Sequence, residues 1–164
     1  MKTEPIELPV ATAEGEFLAR YSAKGLARLK FPQRRTPPRN LPAGKIPSLI
    51  RDWHRITTAA LKAILAGRAP KKFPPLDLAG TEFQKSVWNA LRKIPAGQTR
   101  SYGEVAQAIG RPRAVRAVGG ACGANPVPVL VPCHRVLAAN KKIGGFSNGL
   151  TWKRRLLTRE GVKV

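Results

Sequence analysis

Cysteine, histidine and acidic residues are all scarce in this chain of 164 residues, which holds two Cys, two His and nine Asp plus Glu. Two cysteines exclude a disulfide framework. A single Cys122–Cys133 pairing would need an oxidising compartment, and no secretory signal directs the chain to one. The N-terminal half has no cysteine. His54, alone on an amphipathic helix, cannot build a four-coordinate zinc site, so neither a metal nor another cofactor is expected. Long apolar runs are missing too, and none approaches the ~20 residues of a membrane span. The expectation is a soluble cytoplasmic protein with no membrane partner.

Positive charge is what the chain has in excess. Lys and Arg total 30, the net charge is +21 and the pI is near 11.4. Charge of this size bears on partners rather than on fold, and it favours a polyanion, nucleic acid ahead of anionic membrane. Residues 1–80 hold 15 basic and 6 acidic side chains, and residues 81–164 hold 15 and 3, so the halves carry +9 and +12. An acid kept in the second half calls for a specific reason. Glu82 and Glu104 fall in the first turns of predicted helices, where the macrodipole favours a carboxylate. Glu160 falls at a helix C-terminal end, where the dipole disfavours it.

Two blocks follow from the patterning. Phe17–Ala23 and Leu26–Phe31 read as short strands around a Lys24-Gly25 turn. Residues 32–47, with Pro32, Pro37, Pro38, Pro42 and Pro47, read as an extended surface loop. Ser48 is the expected cap of a helix that puts Leu49, Trp53, Ile56, Ala60, Leu61, Ile64 and Leu65 on one face and stops at Gly67. Residues 68–80, with Pro70, Pro74, Pro75 and Gly80, read as a linker. The expected division is residues 1–78, a small β-sheet plus helix, and residues 79–164, mainly α-helical.

The second block carries sharper signals. Thr81 to Gln84 spells a capping box for a helix with Phe83, Val87, Leu91 and Ile94. Ser101 to Glu104 spells another, opening a helix that ends at Gly110. Pro112 is the expected start of the next helix, which Asn125-Pro126 would end. Two short helices joined by a Gly-containing turn match a helix-turn-helix, as do many helical hairpins that bind no DNA. The second helix lacks bulk, running Ala117-Val118-Gly119-Gly120-Ala121-Cys122-Gly123-Ala124 after Arg116. It offers few side chains long enough to read a major groove. Its small face suits either tight packing on another helix or approach to a narrow minor groove with Arg116 protruding as a wedge.

Cys133 and His134 end an apolar, proline-punctuated run, Pro126-Val-Pro-Val-Leu-Val-Pro132. A thiol is a strong nucleophile only as thiolate, and a neighbouring imidazole or guanidinium lowers its pKa, which makes His134 and Arg135 the expected activators. A buried structural cysteine beside a satisfied histidine would look the same in isolation.

Taken together, Pro132-Cys133-His134-Arg135-Val136, Arg116-Ala117-Val118-Gly119-Gly120 and Asn125-Pro126-Val127-Pro128 resemble the signature of the O6-alkylguanine-DNA alkyltransferases. The likeness runs from about Phe83 to Gly161 and includes Ser101-Tyr102, Gly144-Gly145-Phe146-Ser147 and Leu156-Leu157-Thr158-Arg159-Glu160-Gly161. It implies an α/β N-terminal domain followed by a C-terminal domain with a winged-helix-like helix-turn-helix. It also implies repair of duplex DNA bearing O6-alkylguanine, with O4-alkylthymine as a further candidate, by a monomer bound in the minor groove and associated with the nucleoid.

The resemblance assigns roles to residues. An alkylated base lies inside the duplex, so its nucleotide must be flipped into a pocket before reaction. Arg116 is then the finger that fills the vacated place, with Ala114, Ala117, Gly119, Ser101, Tyr102 and Arg135 as further DNA contacts. Cys133 attacks the alkyl carbon, His134 draws off the thiol proton through a water, and Glu160 orients His134. Tyr102 donates to the departing guanine, and Asn125 braces the active-site turn. Phe146, Ser147 and Val136 form the substrate pocket. Phe146 stands where some relatives carry Tyr, and Asn148 where Gly is common. Since a thioether is not hydrolysed under mild conditions, the protein should act once per molecule, and Cys122 is read as a small helix residue rather than a resolving thiol.

Two other classes bear comparison. A non-catalytic lesion sensor would bind the same DNA but lacks the reactive cysteine retained here. A Cys-His hydrolase needs an oxyanion hole and a substrate cleft, and adjacent Cys and His are not a protease spacing.

Overall fold

The computed structural model describes residues 4–33 and 44–164. Most of the proline-rich loop foreseen at 32–47 lies outside the described residues.

Three antiparallel strands in the order β1-β2-β3 form the N-terminal sheet: β1 (Ile6–Thr12), β2 (Gly15–Tyr21) and β3 (Leu26–Lys30). The β2–β3 hairpin matches the sequence expectation, but β1 was not foreseen. Pro9 breaks up its apolar alternation and argues against a strand. It is tolerated because β1 is an edge strand and the Pro9 carbonyl accepts a 3.0 Å bond from His54 Nε2, so its missing N–H would have faced away from β2. His54 Nδ1 in turn accepts from the Tyr21 hydroxyl at 2.8 Å. His54 is thus a satisfied structural histidine joining sheet to helix.

Helix α1 (Ser48–Leu65) packs on that sheet through Ile50, Thr57, Ala60, Leu61, Ile64 and Leu65. Two expectations are corrected here. Ser48 lies inside the helix and its side chain caps nothing, the N-cap being Pro47. Leu49 is 55% exposed and Ile50 takes its place in the core, because the buried stripe begins one residue later than the pattern suggested. Gly67 does end the helix region, at φ 75°.

The segment 68–80 is bound rather than free. Leu26 donates to the Pro75 carbonyl, Asp77 donates to the Leu26 carbonyl, and Leu76 forms a parallel bridge with Leu26. Leu76 and Leu78 pack against the apolar core, which runs without interruption from the sheet into the second half.

The second half contains α2 (Glu82–Leu91), β4 (Arg100–Ser101), α3 (Tyr102–Ala108), α4 (Val115–Gly123), β5 (Val136–Leu137) and α5 (Leu150–Arg159). The Thr81–Gln84 capping box is present in both directions, at 3.0 and 3.1 Å. At α3 the Ser101 half forms, its hydroxyl accepting from the Glu104 amide. Pro112 does not start α4. It sits in a turn closed by Ala114 N–H on the Arg111 carbonyl, and the helix begins at Val115 and runs on through Cys122 to Gly123. Trp88 of α2, 1% exposed, anchors α4 through an indole N–H bond to the Ala121 carbonyl. β4 pairs in parallel with β5, placing Ser101 and Tyr102 next to the segment that follows Cys133. Among the described residues no helix is long and apolar enough to cross a membrane.

Candidate active site

Asn125 organises the approach to Cys133. Its Nδ2 donates to the Val131 carbonyl at 2.8 Å, and its Oδ1 accepts from Val127 N–H at 3.0 Å. This holds a turn in which Val129 adopts φ 76°, a left-handed conformation that a β-branched residue enters only under strain. Val127, Val129, Leu130 and Val131 are buried, and Cys133 emerges at 6% exposure as the first residue of a 3₁₀ turn, Cys133–Arg135.

Cys133 lines a cavity of about 150 Å³ with Tyr102, Gly119, Cys122, Gly123, Gly145, Phe146 and Ser147. The loop over it is tied to α4 by the Ser147 hydroxyl, which donates to the Gly123 carbonyl at 2.8 Å. Gly144, at φ 70°, leaves room for the Tyr102 ring, since a Cβ there would stand 3.1 Å from the phenolic oxygen. Phe146 is braced from the N-terminal half by an edge contact with Phe31, just past the end of β3, 6.0 Å between centroids. Burial, with the Cys122 thiol adding to it, raises the Tyr102 pKa, so the phenol is neutral and able to donate.

Beside Cys133 in the chain begins a triad whose side chains are almost wholly buried. His134 Nε2 and Glu160 Oε1 are 2.8 Å apart. Arg135 donates through Nε and a terminal nitrogen to the two Glu160 oxygens, at 2.9 and 2.8 Å, and through its other terminal nitrogen to the Ile94 carbonyl. Burial pushes the His134 pKa down, against the upward pull of Glu160, so the ring is neutral. Its Nδ1 is buried with no hydrogen-bond partner among the described residues.

Burial raises the Cys133 pKa, opposed by a hydrogen bond from Asn125 and by the charge of Lys153. Lys153 is fully buried on α5, and its ammonium donates to the Val136 and Gly145 carbonyls at 2.7 and 3.0 Å. Desolvation lowers its pKa to about 8, with the thiols of Cys133 and Cys122 pulling the other way. The charge that pulls the thiol pKa down is thus that of Lys153, whereas the sequence pointed to His134 and Arg135. Lys153 was missed, although it falls three and four residues before the buried Leu156 and Leu157, on the inward face of the helix.

The outer face of α4 is open. Arg116, Ala117, Gly120 and Gly123 are exposed, and a Cβ added at Gly119 or Gly120 would meet no atom within 4 Å. Tight helix packing inside this chain is therefore not what keeps these positions small. The Arg116 side chain makes no hydrogen bond or ion pair among the described residues.

A family profile described as the DNA-binding domain of 6-O-methylguanine DNA methyltransferase matches residues 82–162. A methylated-DNA–protein-cysteine methyltransferase of Methanosarcina acetivorans is 50% identical over 110 residues, covering 67% of this chain and 70% of that protein. This chain belongs to the O6-methylguanine DNA methyltransferase family. The crystal structure of Mycobacterium tuberculosis O6-methylguanine methyltransferase superposes with a TM-score of 0.74 at 34% identity, covering 96% of this chain and 93% of that one. That of Mycobacterium tuberculosis OGT in complex with DNA gives 0.73 at 38% identity, covering 93% and 90%.

Within this methyltransferase fold, the structure brings together Cys133, His134, Glu160, Tyr102, Asn125, Phe146 and Ser147. Two site expectations are corrected. Arg135, expected on DNA, is 8% exposed and spends its guanidinium on Glu160 and Ile94. Val136, expected in the pocket, is fully buried in β5, where it pairs with Arg100 and does not line the cavity. Ser101 is committed to capping α3, and Ala114 is the half-buried N-cap of α4. Cys122 is the small helix residue expected and also lines the cavity.

Proposed function

We propose that this protein repairs duplex DNA by taking the alkyl group of O6-alkylguanine onto Cys133. One observation carries the reading: the acceptor thiol lines a cavity whose wall includes Gly119 and Gly123 of α4, the helix with the open, small-residue face. In this reading α3 and α4 form a helix-turn-helix seated in the minor groove, in a winged-helix-like half spanning residues 79–164, and residues 1–78 support it. Arg116 enters the base stack as the nucleotide rotates into the cavity.

The thiol proton passes through a water to His134 Nδ1, which is buried and unpartnered while Nε2 is held by Glu160. The sulfur attacks the alkyl carbon in line. As the S–C bond forms, the C–O6 bond breaks and its electron pair leaves on guanine, which the neutral Tyr102 phenol protonates. The imidazolium proton of His134 then returns through water to the Tyr102 phenolate, so the net transfer exchanges one proton for one alkyl group and leaves both side chains neutral. Nothing then cleaves the thioether, so each molecule acts once. O4-alkylthymine offers the same activated alkyl carbon and is a second substrate. All groups come from one chain, in keeping with action as a monomer on nucleoid DNA in the cytoplasm.

The test is incubation with a duplex containing O6-methylguanine, followed by mass spectrometry of the intact protein. One added methyl on Cys133, with activity exhausted after one equivalent, is expected. Tight binding by unmodified protein would replace transfer with lesion sensing. Repeated turnover would remove the single-use mechanism.

A further inference from the structure

The last turn of α5 is gripped by residues of the N-terminal half. Glu14, in the turn between β1 and β2, has a side chain only 11% exposed and forms an ion pair with the Arg159 guanidinium, while its other oxygen lies 3.8 Å from Arg155. Arg159 also donates to the carbonyl of Leu65, the last residue of α1, at 2.9 Å. The backbones meet as well. A Cβ on Gly67 would stand 2.2 Å from the Arg159 carbonyl oxygen, and from the second half one on Gly97 would stand 3.2 Å from that of Glu160. Glu160, the next residue, is the carboxylate that holds His134.

In a chain with so few acids, a nearly buried carboxylate clamped to the residue beside Glu160 calls for a reason beyond solubility. Surface ion pairs contribute little, and this one joins a carboxylate 11% exposed to a guanidinium 36% exposed, so what it supplies is the placement of Arg159 rather than much stability. Resting on the functional reading above, we propose that Glu14 is a positioning residue for alkyl transfer. It fixes Arg159, Arg159 fixes the end of α5, and the end of α5 sets where Glu160 holds the His134 ring. Glu14 touches neither substrate nor the reacting atoms, and its effect reaches them only through the Glu160–His134 contact. A shift of about 1 Å in a catalytic group can cost up to about a hundredfold in rate, so the route is energetically adequate.

The test times single-turnover transfer from an O6-methylguanine duplex to Cys133 in wild type, Glu14→Gln, Glu160→Gln and the double variant. Glu14→Gln should slow transfer about tenfold with duplex affinity unchanged. In the Glu160→Gln background it should add nothing, because both changes act through the same contact. A second readout needs no DNA. Nitrogen NMR of the His134 ring should show the Nε2-protonated tautomer in wild type and a mixture of tautomers in Glu14→Gln. Arg159→Lys keeps the charge but loses the two-pronged grip, and should give the same slowing where Glu14→Gln does not fold. A folded Glu14→Gln protein that transfers at the wild-type rate would overturn the proposal. So would equal slowing in both backgrounds, the mark of general loosening. A wild-type protein that transfers nothing would remove the functional reading instead, and the tautomer measurement would then decide the positioning role of Glu14 alone.

Discussion

His134 Nε2 lies 2.8 Å from Oε1 of Glu160, a residue 26 positions further along, and the two side chains are 0% and 1% exposed. An ionised carboxylate can only accept, so Nε2 carries the hydrogen and Nδ1 presents a lone pair. Burial alone would raise the Glu160 pKa, yet the hydrogen bonds from His134 and Arg135 and the Arg135 charge hold it at about 2.

Glu160→Gln should slow alkyl transfer about a hundredfold while leaving the cavity in place. It also removes the partner of a buried guanidinium, at a cost of about 3 kcal/mol. The folded pKa of Glu160, about 2, is below its ordinary value of 4.5, so its stabilisation is present above pH 4.5 and is lost as pH falls toward 2. Acid titrations of unfolding free energy should show this loss in wild type and a flatter limb in Glu160→Gln.

Because burial raises the Cys133 pKa, little thiolate exists at neutral pH, and the rate of transfer should keep climbing as pH rises beyond the ordinary thiol range. Iodoacetamide should label the DNA-free protein slowly. Lys153→Met removes the cation that opposes this shift and should slow transfer further at pH 7. It should also destabilise the fold by about 2 kcal/mol, through the two carbonyls left without a donor. Stopped-flow alkylation across pH and thermal unfolding measure the two effects separately.

Gly120 is in mid-helix with open space around it. Gly120→Ala should therefore stabilise the protein by about 0.5–1 kcal/mol. Gly120→Leu should leave the fold intact and weaken duplex binding at least tenfold, since a larger side chain would hold α4 away from a narrow groove. Thermal unfolding and fluorescence anisotropy should move in opposite directions across this pair.

Arg116→Ala should lower the rate of repair in duplex DNA far more than it lowers duplex affinity. If the side chain contacts bases rather than phosphates, the dependence of binding on salt should change little. Placing the lesion opposite a mismatch, where unpairing is easier, should restore part of the lost rate.

Much of the site was legible because its signals are local. The Cys133-His134 pair, the Asn125-Pro126 break and the capping residues of α2 and α3 each announce themselves within a few positions. Glu160 was legible as an acid that no helix-dipole rule explained. Arg135 was not, because in a chain of net charge +21 an arginine beside the acceptor cysteine reads as DNA-facing, and its burial is decided by a carboxylate 25 residues away. Lys153 was hidden by Arg154 and Arg155, which follow it on the exposed side of the same helix. Strand β1 was obscured by Pro9, whose tolerance depends on edge position and on His54. In each miss a long-range contact overrode a sound local rule.

The stitched segment between the halves has a consequence for how the molecule comes apart. Lys71-Lys72 is exposed and invites tryptic cleavage, yet Leu76 is bridged to β3, Arg159 reaches across to Leu65, and the core is shared. A chain nicked there would stay together as one particle, eluting at its original size and melting in a single transition. Severing the backbone would not separate the alkyl acceptor from the sheet that supports it.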